Sequence, residues 1–169
     1  PGSGMPSNVA DRVYSMRVVG DDLWVGTYQG GNIDVSIYNQ SLDSWDVTPY
    51  TDVGGYAYPA DIEICGGIVH VAFGRLQWWQ GGYVARYDYS DSDGNGIAGE
   101  WIDAWEDGNG LDDADPRAIA CDESHPMLYV AYDSDNVGIS RFDYSTDTLL
   151  SAITPSDGIS PEPVFPGGI

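Results

Sequence analysis

Asp91, Asp93 and Asn95 alternate ahead of Gly96 in the stretch Asp91-Ser92-Asp93-Gly94-Asn95-Gly96-Ile97-Ala98-Gly99-Glu100. Oxygen-bearing side chains at every second residue, with glycine at the sharp bend, are what wraps a calcium ion. The spacing predicts side-chain ligands from Asp91, Asp93 and Asn95, a carbonyl ligand from Ile97 and a closing carboxylate from Glu100. It departs from a helical calcium loop, because the twelfth position counted from Asp91 is Ile102 instead of glutamate. A bound ion would rigidify the loop, since it binds only the folded arrangement. The competing reading is a solvated acidic turn. A second acidic stretch, Glu106 to Asp115, reads more simply as a connection.

Gln77-Trp78-Trp79-Gln80 is the other candidate. Two adjacent flat rings in an expanded loop suit stacking on a sugar face, and exposed tryptophan pairs are uncommon without a partner. Trp78 and Trp79 are thus expected to pack against a neighbouring blade, domain or subunit, with contact to a carbohydrate ligand as the alternative. Signals for catalysis are poor. The sequence holds no lysine, no G-x-S-x-G elbow and no phosphate-cradling glycine loop. His70 occupies a strand position and reads as a core histidine, while His125 sits in a turn before Pro126. Carboxylates are so abundant that chance pairs are expected, whereas a glycosidase needs two at a defined separation. The chain is therefore expected not to be an enzyme.

The elements that must position these residues repeat. Leu23-Trp24-Val25-Gly26-Thr27-Tyr28 has relatives in Ile68-Val69-His70-Val71-Ala72-Phe73 and Met127-Leu128-Tyr129-Val130-Ala131-Tyr132, with Val25, Val71 and Val130 separated by 46 and 59 residues. Such periods mark stacked supersecondary units. Before each line lies a segment alternating at period two, from Val13, Pro59 and Pro116 respectively. After it come Ser36-Ile37-Tyr38-Asn39, Ala85-Arg86-Tyr87-Asp88 and Ser140-Arg141-Phe142-Asp143, then a fourth strand near Trp45, Trp101 and Leu149. Trp24, Trp45, Trp101 and Trp105 fall on strands and are expected to pack between units. The hairpin joining third and fourth strands has three residues between Ser41 and Trp45 and between Ser145 and Leu149, but ten between Ser90 and Trp101. The acidic stretch is thus an insertion that the fold does not require.

Turn signals every eight to twelve residues and no capped helical period predict an all-β fold of β-propeller blades: about three four-stranded antiparallel blades and the start of a fourth. The expected divisions are a leading segment 1–12, which could be the outer strand of a preceding blade, blade A over 13–58, blade B over 59–115 with the insertion, blade C over 116–162, and a first strand of the next blade over 163–169. Closed propellers take roughly 4 to 8 blades, so a larger ring is expected, completed by other blades of the same chain or by other subunits. The pattern resembles the two-component regulator propeller repeats. Leu23-Trp24-Val25-Gly26-Thr27-Tyr28-Gln29-Gly30-Gly31 carries the likeness most strongly, with Ser140-Arg141-Phe142-Asp143 next and Asp157-Gly158-Ile159 as the turn. That resemblance implies an extracellular or periplasmic propeller that binds ligands or supports sensing without catalysis.

Charge narrows the partners. With 27 acidic and 6 basic residues the formal net charge is -21. Such a field repels nucleic acid and anionic membrane surfaces, and no apolar run reaches the roughly 18 residues of a membrane helix. The balance suits a halophilic or marine extracellular setting, or a cell surface. Cys65 and Cys121 read as small buried side chains at equivalent places in adjacent blades, too far apart for a disulfide. A bridge between neighbours is the alternative. The function expected is an interaction scaffold or ligand-sensing module with calcium in the hairpin. The alternatives are a structural subunit of a surface layer or filament, and a fragment of a propeller polysaccharide lyase or glycoside hydrolase.

Overall fold

The computed structural model describes residues 12–29, 32–48, 57–75, 81–89, 96, 99–107, 110–111, 115–133, 138–154 and 157. Among them there is no α-helix, and so no helix long and apolar enough to cross a membrane. The strands are β1 (Val13–Val19), β2 (Asp22–Gln29), β3 (Asn32–Asn39), β4 (Ser44–Thr48), β5 (Ala57–Cys65), β6 (Ile68–Arg75), β7 (Tyr83–Asp88), β8 (Glu100–Asp107), β9 (Gly110–Leu111), β10 (Pro116–Asp122), β11 (Met127–Tyr132), β12 (Ile139–Asp143) and β13 (Thr148–Ile153). They form three antiparallel meanders, β1-β2-β3-β4, β5-β6-β7-β8 and β10-β11-β12-β13; β9 adds to the edge of the middle sheet in parallel.

The repeat governs register. Met16 lies opposite Val25, Ile62 opposite Val71 and Ile119 opposite Val130. Each first strand also bulges at one place, between Val13 and Ser15, Pro59 and Asp61, and Pro116 and Ala118. A bulge adds an unpaired residue and strengthens the local twist. The extra residues are Tyr14, Ala60 and Arg117. Two of the short outer turns end on aspartates in the left-handed region, Asp43 at φ 47° and Asp147 at φ 53°. Aspartate tolerates that conformation better than most L-residues, which accounts for part of the acidic bias.

The sheets stack face to face. β5 packs against β1 and β2, and β10 against β5 and β6, so the three first strands stand in a row. Between the first and middle sheets lies a core of Trp24, Val35, Ile37, Ile62, Val71, Phe73, Tyr83 and Tyr87. Between the middle and last sheets lies another, of Ala72, Val84, Trp105, Ile119, Leu128, Val130 and Phe142. Every side chain of β7 is buried because both faces of the middle sheet are covered. Strand packing is tight where first strands meet: a Cβ on Gly26 would sit 2.5 Å from Ser15 Oγ and 2.7 Å from Pro59 Cβ. Gly26 admits the neighbouring sheet, and the equivalent positions Ala72 and Ala131 are also small.

Cys65 and Cys121 correct the expectation of two unpaired buried thiols, for they form a disulfide with Cα atoms 5.6 Å apart. Register explains it. Cys65 stands three residues beyond Ile62, but Cys121 only two beyond Ile119. Successive strand residues point to opposite faces, so that one-residue offset turns Cys65 toward the last sheet and Cys121 back toward the middle one. Truly equivalent positions would have faced the same way and stayed apart.

Candidate functional site

Asp91, Asp93, Asn95 and Ile97 of the calcium-like hairpin, and Trp78 and Trp79, lie outside the described residues. The base of the hairpin is described. Asp88 is fully buried and its carbonyl accepts a hydrogen bond from Gly99 N–H at 2.7 Å. Glu100 opens β8 opposite Asp88 and is half-buried. Gly99 has φ +80°, and a Cβ there would lie 3.2 Å from the Tyr87 hydroxyl. The neighbouring Tyr89 hydroxyl donates to Asp22 Oδ2 at 3.3 Å, which raises the tyrosine's pKa, chiefly through burial and then through the aspartate's charge. Among the described residues no group of three His, Cys, Asp or Glu side chains is arranged to hold a metal ion.

The row of first strands carries carboxylates whose duties are structural. Asp61 Oδ1 accepts from Ile62 N–H and its Oδ2 from Ile119 N–H, each at 2.9 Å, joining the middle sheet to the last. Ser15 Oγ donates to the Pro59 carbonyl at 2.8 Å, joining the first sheet to the middle. Glu63 binds Arg17 and accepts from Ile64 N–H at 2.9 Å. Burial raises the Glu63 pKa, and both of those partners oppose the rise.

Behind them, His70 is 1% exposed. Burial, aided by the Arg86 charge, lowers its pKa to about 3, so it is neutral near pH 7. Its ring lies 5.4 Å from that of Trp105 at a tilt of 33°, as a packing histidine does. Arg86 reaches Asp103 in its own sheet and Asp147 of the last sheet at 2.8 Å, and its guanidinium lies 4.6 Å over the Trp105 ring. Of the four strand tryptophans, Trp24 and Trp105 are buried and Trp45 and Trp101 half-buried. His125 is exposed and its Nδ1 lies 3.0 Å from Asp122.

One arrangement escapes a reading of sequence. At the end of the stack where first strands begin, Tyr14 packs 5.0 Å from Tyr58 at a tilt of 36°, and edge-on 6.4 Å from Tyr28. Arg117 Cζ lies 5.1 Å over the Tyr58 ring. The Arg117 guanidinium also pairs with Asp115 at 2.9 Å and Asp133 at 3.0 Å, and Asp115 binds Arg75. Tyr14 and Arg117 are the extra residues of two bulges. The available signal was their shared place one residue after Val13 and Pro116, but a bulge cannot be inferred from an alternation pattern alone.

No protein-family model matches the chain, and no curated protein sequence does. Among solved structures it is similar to an exo-β-1,3-galactanase from Phanerochaete chrysosporium determined with galactose, at TM-score 0.50 and 13% identity over 82% of this chain and 36% of that one. The chain thus spans little more than a third of that structure's length, and the likeness is one of all-β fold.

Proposed function

We propose that the chain is a block of consecutive β-propeller blades acting as a non-catalytic extracellular interaction scaffold, in a ring that continues past β1. One observation carries this reading. Met16 is 65% exposed, whereas its register equivalents Ile62 and Ile119 are 1% and 6% exposed. Val13, at 45%, and Val18, at 59%, lie open on the same strand. In the other two sheets the first strand is covered by the first strand of the sheet before it, so the apolar strip on β1 is shaped for one more such neighbour. Among the described residues, Val25, Thr27 and Ser36 deeper in the sheet are buried. The disulfide suits an oxidising, extracellular or periplasmic setting.

The test is oxidation footprinting of the protein from its native source. Met16 should be protected from peroxide there and readily oxidised in the 169-residue chain alone; equal reactivity in both would refute a continuing ring. Calcium in the Asp91 to Glu100 hairpin remains part of the proposal. It predicts a higher melting temperature in calcium than in chelator, abolished by Asp91→Ala with Asp93→Ala. A second reading, part of a glycoside hydrolase, has the fold likeness to a galactanase in its favour. Release of reducing sugar from β-1,3-galactan would establish it.

A further inference from the structure

The first and last sheets stand at opposite ends of the row, and their outward faces match each other. On the first sheet the open strip of β1 runs on across the strands beside it. Leu23 and Tyr38 are half-buried, with Trp45 tilted against Tyr38 at 5.1 Å. Their register equivalents Leu128 and Phe142, which face the middle sheet, are 0% and 5% exposed. On the last sheet the face turned away from the middle one is small along its first two strands, where Ala118 and Ala131 are half-buried and Ala120 is exposed. Ala131 holds the register position at which Gly26 admits the next first strand through Pro59.

The charges match as well. At the seam between the middle and last sheets, Arg86 Nε donates to Asp103 in its own sheet at 2.6 Å and Nη1 reaches Asp147 of the next sheet at 2.8 Å. Arg141 repeats Arg86, since the two lie opposite the equivalent residues Tyr129 and His70. Its Nε is likewise anchored in its own sheet, on the Ser151 carbonyl at 2.8 Å. Asp157 feels the Arg141 charge, but only after the Thr154 amide and hydroxyl that bind it and lower its pKa. Asp43 repeats Asp147, each left-handed and each directly before a fourth strand. Asp43 is exposed and accepts from the Tyr38 hydroxyl at 2.7 Å. The last sheet therefore carries the arginine of that seam, and the first sheet carries its aspartate.

We infer that the open face of the first sheet is covered by the last sheet of a second copy of this chain, two three-sheet arcs closing into one six-sheet ring. Six lies within the roughly 4 to 8 blades of closed propellers. A twofold axis makes the two new seams identical. In each, Met16 and Val18 lie over the alanines of the last sheet, and Arg141 of one copy meets Asp43 of the other. The net charge of -21 on each copy opposes approach, but at about 0.15 M salt that repulsion is screened beyond about 8 Å.

The inference rests on the reading of a ring that continues past β1 and is tested apart from it. Sedimentation of the 169-residue chain over a concentration series should pass from 18.3 kDa to twice that mass. Peroxide oxidation of Met16 should fall in step, because the residue is open in the single, dilute chain and covered in the pair. Asp43→Asn keeps a side chain that tolerates the left-handed backbone. It and Arg141→Gln each remove both symmetry-related pairs, so each should weaken association about tenfold or more, and the double variant should be little weaker than either. Melting temperatures confirm that the variants fold. A single-chain mass at every concentration, a series of ever larger species, or association untouched by both variants overturns the two-copy ring. If the chain stays single while Met16 is protected in the protein from its native source, the continuing ring stands and blades of a longer polypeptide fill the place assigned to the second copy. Met16 oxidised alike in the native protein and in the single chain removes the continuing ring itself.

Discussion

The two seams between sheets are built differently. The seam between the middle and last sheets has a disulfide, the buried Arg86 reaching Asp147, and the Asp61 carboxylate on Ile119 N–H. Its aromatic contact, Trp105 on Phe142, is close at 3.7 Å between centroids. The seam between the first and middle sheets has none of the covalent fastening. It rests on an apolar core, the edge-on pair Trp24 and Tyr87 at 5.0 Å, the Ser15 to Pro59 hydrogen bond and the half-exposed Arg17–Glu63 pair. The contrast teaches that the last two sheets form a fastened unit. The first sheet is the one free to yield, and it is also the one whose first strand lies open.

The largest effect is expected from the covalent fastener. Cys65→Ser with Cys121→Ser should cost about 2–5 kcal/mol, since it frees a loop spanning a sequence separation of 56 residues. Thermal melting would register it, and an unchanged transition would remove the asymmetry. Next comes the tight approach at the looser seam: Gly26→Val forces a side chain into Ser15 and Pro59 and should destabilise by roughly 1–3 kcal/mol or more. Denaturant titration should show it, whereas a neutral effect would mean that this seam relaxes freely.

A pH dependence separates the seams more finely. His70 has a folded pKa of about 3 against an ordinary 6.5, so the unfolded chain takes up its proton first as pH falls. Stability attributable to it is therefore complete above 6.5 and declines as pH drops from there toward 3. Glu63 acts with the opposite sign: its raised pKa means that stability improves as pH falls from its folded value toward 4.5. Melting temperatures of His70→Phe should lose the decline between pH 6.5 and 5; persistence of the full slope would place the titration elsewhere. The smallest effect belongs to Arg17→Ala. That side chain is 45% exposed, and surface pairs contribute about 0–1 kcal/mol. A loss well above that range would make the looser seam electrostatic after all.

Much of the architecture was legible because the sequence repeats. Aligning Val25, Val71 and Val130 predicts first strands, second strands and their hairpins, and the strands lie there. Third strands end where those repeated lines end, at Asn39, Asp88 and Asp143. The disulfide was misread for a reason of parity: residue counting placed the two cysteines at equivalent sites, while facing depends on a single step of register. The Tyr14–Tyr58–Arg117 ladder was illegible because two bulges create it, and a bulge is a deviation from the very alternation used to find strands. His70 was legible as a core residue from its place between Val69 and Val71.

Hydrogen–deuterium exchange on the isolated chain reads the three register-equivalent first strands side by side. Amides of β1 should exchange fastest, those of β10 more slowly and those of β5, covered on both sides, most slowly. In the native assembly β1 should slow to the rate of its siblings. Equal protection of β1 and β5 in the isolated chain would contradict both the looser first sheet and the missing neighbour beside it.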